Sequence, residues 1–139
     1  MARSQIERGA EVVFAGAGTS NFGVFQAAVE MKRLVIGVDS NQNGLHPGKV
    51  LTSMLKRVDN AVLKTYGAAK AGTWKGGVTA LGLKEEGIGW ALDDNNRALI
   101  TPAMEQAANS AVADIVAGKI AVHDFTADGK CPFPLAPGG

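Results

Sequence analysis

The chain has 139 residues, 46% apolar side chains, 19% charged ones and a formal net charge of +1. That is enough for one domain with a real core, and it describes an ordinary globular composition rather than a disordered or fibrous one. Lys and Arg are scattered and matched by acids, which argues against electrostatic binding to nucleic acid, and no apolar run approaches the ~18 residues that cross a bilayer. A lone cysteine, Cys131, rules out an intramolecular disulfide or a thiolate metal cluster; beside Pro132 and Pro134, with no His–Asp pair near it in sequence, it is read as incidental.

The opening residues, MARSQIERG, lack the apolar centre of a signal peptide, which by itself predicts a chain without a secretory leader. Residues 4–9 are helix-like in pattern and run into a short apolar strand at 12–15 with no strand before it, the organisation expected of the end of a larger protein. Gly16, Ala17 and Gly18 open a tight polar turn that ends in Ser20 and Asn21, good caps for a helix over 22–32 with Phe22, Phe25, Ala28 and Val29 on one stripe. A second apolar run at 34–38 ends in Asp39. Strand, glycine turn, helix and strand make a βαβ unit, which joins parallel strands, and such sheets bind ligands beyond the carboxyl ends of their strands. The glycine turn and Asp39 lie at two such ends and should face one crevice.

Asn43-Gly44 and Pro47-Gly48 mark a loop at 42–48, followed by a strand at 50–55 and a helix at 57–71 with Val58, Val62, Tyr66 and Ala69 at helical spacing. Residues 78–83 read as another strand, 87–96 as a loop in which Ile88, Gly89 and Trp90 could form a short edge strand. Thr101-Pro102 opens a last helix running to Ala117, with Gly118 after its end. A short terminal strand at 120–123 and a coil-like tail at 124–139, with three prolines and three glycines, complete the reading.

Two binding chemistries fit this pattern. Gly16-x-Gly18 with Asp39 has the spacing of a dinucleotide fold, although Asn21 stands where a third glycine would allow close helix–strand packing. The glycines could equally serve only the turn. Alternatively, the Asp39 carboxylate could accept hydrogen bonds from a pair of neighbouring sugar hydroxyls, with Lys56 donating from the same side and Phe22 and Phe25 offering a stacking face. Plain alternatives are a solvated acid and cation at two strand ends and two core phenylalanines. His46 and His123 lack the spacing of a metal site or a nucleophile's partner, and Asp93-Asp94-Asn95-Asn96 lacks that of a calcium loop, so the former are read as surface histidines and the latter as a solvated turn. Neither a catalytic residue nor a cofactor site emerges.

Five segments, in order, carry a family resemblance: GAEVVFAGAGT at 9–19, GVFQAA at 23–28, IGVDSNQ at 36–42, LTSMLKRVD at 51–59 and KGGVTALGLK at 75–84. From about Ile6 to His123 the chain resembles the basic membrane protein family, the PnrA-like or Med-like lipoproteins, which are type I periplasmic binding proteins. The resemblance implies an α/β, flavodoxin-like three-layer lobe with a mainly parallel sheet, residues 1–123 forming the C-terminal part of such a protein, and a periplasmic or membrane-anchored location for the intact molecule. It implies non-catalytic recognition of a purine nucleoside for ABC-type uptake, with a transporter permease as partner. By position, the family's glycine-turn contact falls on Gly16, Ala17 and Gly18, its strand-end aspartate on Asp39 and its hinge-strand lysine on Lys56. The family's first-lobe aspartate, asparagine and stacking aromatics precede the segment represented here. The helix at 57–71 would belong to that first lobe, so its apolar stripe should fold back or pair with another copy. A dinucleotide-cofactor enzyme and a self-associating domain that binds no ligand remain the alternatives.

Overall fold

The computed structural model describes residues 1–132. Helix α1 (Ala2–Glu7) leads into β1 (Val12–Phe14), and a 3-10 turn at Gly18–Ser20 enters α2 (Asn21–Glu30). Then come β2 (Leu34–Gly37), a second 3-10 turn at Asn43–Leu45, β3 (Val50–Lys56), α3 (Val58–Lys70), β4 (Ile88–Trp90), α4 (Pro102–Val116) and the single turn α5 (Phe125–Asp128). The fold is α/β, built on an open four-stranded sheet of order β1-β2-β3-β4. β1, β2 and β3 are parallel, and β4 is antiparallel to β3.

Alternation along the strands decides which face is covered. Val13 on β1 and Val35 on β2 are buried, whereas Val12 and Phe14 point to the opposite face and are exposed. Ile6 of α1 and Phe25 and Ala28 of α2 pack on the buried face with Val13, Ala15, Val35 and Val50, and this cluster is the core. Phe25 is completely buried at its centre. α4 lies beside β3 and β4, where Met104 and Ala108 share an apolar crevice with Leu51, Thr52 and Trp90. α3 and α4 have no buried residue, so the well-packed part of the chain is its first half.

Most predicted elements form close to their expected bounds, and residues 88–90 do make the edge strand. Two expected strands do not form. Residues 78–80 are exposed, and the chain turns at Gly82–Gly87, where the Gly87 N–H donates to the Gly82 carbonyl at 2.8 Å. β4 occupies the edge of β3, so residues 78–83 have no strand to pair with there. Residues 120–123 are likewise exposed and carry no ladder. Within the tail expected to be coil, the Asp124 side chain accepts from the Thr126 N–H and caps one helical turn; residues 133–139 lie outside the described part. Ser20 makes no side-chain cap for α2, whereas Thr101 does cap α4 by accepting from the Met104 N–H at 3.2 Å.

Candidate functional site

Because β1, β2 and β3 run in parallel, their carboxyl ends lie along one edge of the sheet. That edge carries the Gly16–Gly18 turn after β1, Asp39 after β2 and Lys56 at the end of β3. Asp39 and Lys56 meet there. The Lys56 ammonium lies 2.7 Å from a carboxylate oxygen of Asp39, and the Lys56 N–H donates to the Asp39 carbonyl at 2.9 Å. Their side chains are 60% and 50% exposed for Lys56 and Asp39 respectively, so the ion pair faces solvent. An ion pair that open contributes at most about 1 kcal/mol to stability. Asp39 has φ of 73°, the left-handed region that Asp tolerates better than most residues.

The glycine turn is exposed from Gly16 to Ser20. Asn21 is 3% exposed, and its side-chain oxygen accepts the Ala17 N–H at 2.8 Å. The residue in the third-glycine position thus ties down the turn itself and uses one of the backbone donors that a pyrophosphate would need. Gly18 has φ of 55°, a conformation that favours glycine. The two aromatics expected to form a stacking face separate. Phe22 is 61% exposed, but Phe25 is 0% exposed, with its ring stacked on His46 at a centroid distance of 6.2 Å. Phe25 is therefore a core residue with no face to offer, whereas Phe22, at the margin of the same stripe, lies outside what the sheet covers. His46, expected at the surface, is half-buried by the same contact.

A polar network beneath Asp39 was not legible as a site. Val38 N–H donates to Gln42 Oε1 at 3.0 Å, and Gln42 N–H donates to Ser53 Oγ at 3.0 Å. Ser53 Oγ donates to Asn43 Oδ1 at 2.8 Å, and Asn43 Nδ2 donates to Asp93 Oδ2 at 3.1 Å. Asn43, Ser53 and Asn96 are completely buried, and Asn96 Nδ2 donates to the carbonyls of Leu51 and Ala91. The segment 93–96, expected to be a solvated turn, is partly a structural joint. The Asn41 amide, opposed by burial and helped by the Asn95 N–H and the Asn43 amide, holds the Asp93 carboxyl below the usual aspartate range. The signal available in the sequence was the run of amide side chains at 41–43 immediately after Asp39.

Residues 1–124 match the family model described as ABC transporter substrate-binding protein PnrA-like. The chain belongs to this family. Among curated relatives of the PnrA-like chain, basic membrane protein D of Borreliella burgdorferi (strain JD1) is 41% identical over 93 residues, covering 63% of this chain and 27% of that one. An uncharacterized lipoprotein of Pyrococcus abyssi is 39% identical over 95 residues, covering 63% of this chain and 24% of that one. A crystal structure of ABC transporter solute-binding proteins from Aeropyrum pernix K1 superposes with a TM-score of 0.58 and 29% identity, over 85% of this chain and 35% of that one. The PnrA-like chain thus spans about a quarter of the length of these curated relatives.

Proposed function

We propose that this chain supplies one wall of the ligand cleft in a substrate-binding component for ABC-type uptake, and that the ligand is a purine nucleoside. The observation that carries the reading is the Asp39–Lys56 pair, solvent-facing at the carboxyl edge of a parallel sheet, in a chain of the PnrA-like family. In this reading the Asp39 carboxylate accepts two neighbouring ribose hydroxyls, Lys56 donates to the sugar or orients the carboxylate, and the exposed backbone of Gly16 and Gly18 lines the floor. Phe22, at the start of the helix that follows the turn, has an open face. No chemical step is required of these residues; they bind and orient. The remaining wall comes from a first lobe, residues 1–123 correspond to the C-terminal part of the two-lobed protein, and a permease receives the loaded form. The lipoprotein names of relatives support a periplasmic or membrane-anchored setting.

The commitment of the Ala17 N–H to Asn21 disfavours the dinucleotide alternative. The test is an amide-resolved NMR titration of the isotope-labelled chain with inosine, guanosine, adenosine and NAD. The reading expects nucleosides to move the Gly16, Gly18, Asp39 and Lys56 resonances, with NAD no better than adenosine. Shifts confined elsewhere, or none at millimolar nucleoside, would remove the nucleoside assignment.

A further inference from the structure

Asp39 is half exposed, so its side chain is placed only as well as the backbone beneath it is held. That backbone leaves β2 and enters the left-handed region at once. The Asp39 carbonyl accepts the Lys56 N–H at 2.9 Å, and on the strand side the nearest fixed point is the Val38 N–H, which donates to Gln42 Oε1 at 3.0 Å. Gln42 is anchored in turn by its own N–H on Ser53 Oγ, Ser53 by Asn43, and Asn43 by Asp93. We propose that Asp93 is the positioning residue of the Asp39–Lys56 pair, acting through Asn43, Ser53 and Gln42 on the backbone that carries Asp39.

Three features support a directed relay over general packing. Its middle members, Asn43 and Ser53, are 0% exposed, so their hydrogen bonds have no water to substitute for them. The space at Gly37 is reserved for the relay: a Cβ there would stand 2.7 Å from Gln42 Oε1 and 2.8 Å from Ser53 Oγ. Position 93 also needs a carboxylate. Oδ2 accepts from the side-chain amides of Asn41 and Asn43, at 2.7 and 3.1 Å, and Oδ1 accepts from the backbone and side-chain nitrogens of Asn95, at 2.7 and 3.0 Å. Asparagine has one acceptor oxygen and would turn an NH₂ towards two donors. A first group placed by a well-packed hydrogen-bonded support is the usual requirement of a precise site. The use of this positioning in ribose recognition rests on the nucleoside reading above, whereas the positioning itself does not.

The test follows amide exchange and chemical shifts of the full, ligand-free chain by NMR. Asp93→Asn is expected to raise exchange at the Val38 N–H at least tenfold and to move the Asp39 and Lys56 resonances, with exchange at Val13 and Val35 unchanged. The double variant Asp93→Asn with Asn43→Asp reverses one bond: the new amide donates to the new carboxylate, which still accepts from Ser53. It should recover most of the Val38 protection. Should Asp93→Asn fail to fold, Gln42→Leu removes Oε1 and leaves the Asp93 cluster intact; it must move Asp39 and Lys56. A uniform rise in exchange at Val13, Val35 and Val38, or an unmoved Asp39, overturns the proposal. With inosine added, Asp93→Asn should weaken the response at Asp39. If the wild-type chain shows no response to inosine, the nucleoside reading falls, and the ligand-free result still decides the positioning role.

Discussion

Asp39 and Lys56 are joined twice, once between backbones at 2.9 Å and once between side chains at 2.7 Å. The backbone bond continues the pairing of β2 with β3 past the last strand residue of β2, and it sets the two side chains on one edge. In a binding protein that carries both lobes, Asp39→Ala should weaken nucleoside binding by roughly 2–4 kcal/mol, because two charge-assisted bonds go and two ligand hydroxyls lose their acceptor inside a closed site. Lys84→Ala, at an exposed position, should have little effect. Free nucleobase should hardly respond to either change. Affinities for nucleoside and base in both variants check this, and an equal loss for the two ligands would remove Asp39 from the ribose role.

The chain alone should bind purine nucleosides only weakly, at millimolar strength. An open edge leaves the ligand's other face in water, and each tenfold of affinity is about 1.4 kcal/mol of lost burial and hydrogen bonding. Calorimetry that finds sub-micromolar inosine binding to a monomer would mean that the cleft is complete within this chain.

α3 should drive self-association. Val58, Val62, Leu63 and Tyr66 are 58%, 63%, 69% and 68% exposed, which makes an apolar stripe along one helix. Sedimentation should show dimer or larger species by ~100 μM, well above the micromolar constants of modest interfaces. Val62→Lys with Tyr66→Lys should return a monomer of unchanged helix content. A clean wild-type monomer at that concentration would count against it.

Gly37→Ala should destabilise the fold by about 1–3 kcal/mol, the usual range for overpacking a filled site. The new methyl meets Ser53 Oγ, which is buried and already bonded, and Gln42, which can move only by releasing Val38. Denaturant midpoints of the two proteins give the difference; a neutral result would mean that the Gln42 side chain relocates freely.

Asp93 should make stability fall in acid. Its carboxyl is held below the ordinary aspartate value, so between the folded and unfolded values the unfolded chain binds more protons. The contribution is therefore fully present above the unfolded value and disappears as pH falls through the folded one. Melting temperatures of wild type and Asp93→Ala should differ most near neutral pH and draw together as pH falls below the ordinary aspartate range. Glu30, Asp59 and Asp124 are shifted in the same direction, but they are present in both proteins and drop out of the comparison. A gap that persists unchanged in acid would show that ionisation of Asp93 is irrelevant to the fold.

The sequence by itself determined the βαβ unit, a helix expected over 57–71 and found at Val58–Lys70, the Thr101 cap, and the placing of Asp39 and Lys56 on one side of the sheet edge. Each of these rests on local periodicity or on a topological rule that parallel strands end together, so no distant contact had to be known. What only the tertiary structure decided was which groups found partners. Phe22 and Phe25 lie on one stripe in the sequence, yet only Phe25 reaches the core, because the width of the apolar stripe exceeds what the sheet covers. Residues 78–83 have the composition of a strand but β4 holds the edge of β3, and a strand exists only through its neighbours. Asn43, Ser53 and Asp93 are ordinary polar residues in the sequence; their burial and bonding arise from a fold that brings the loops after β2 and β4 onto β3. Hydrogen bonds between segments so far apart carry no local signature, so a relay beneath Asp39 becomes visible only once the chain is folded.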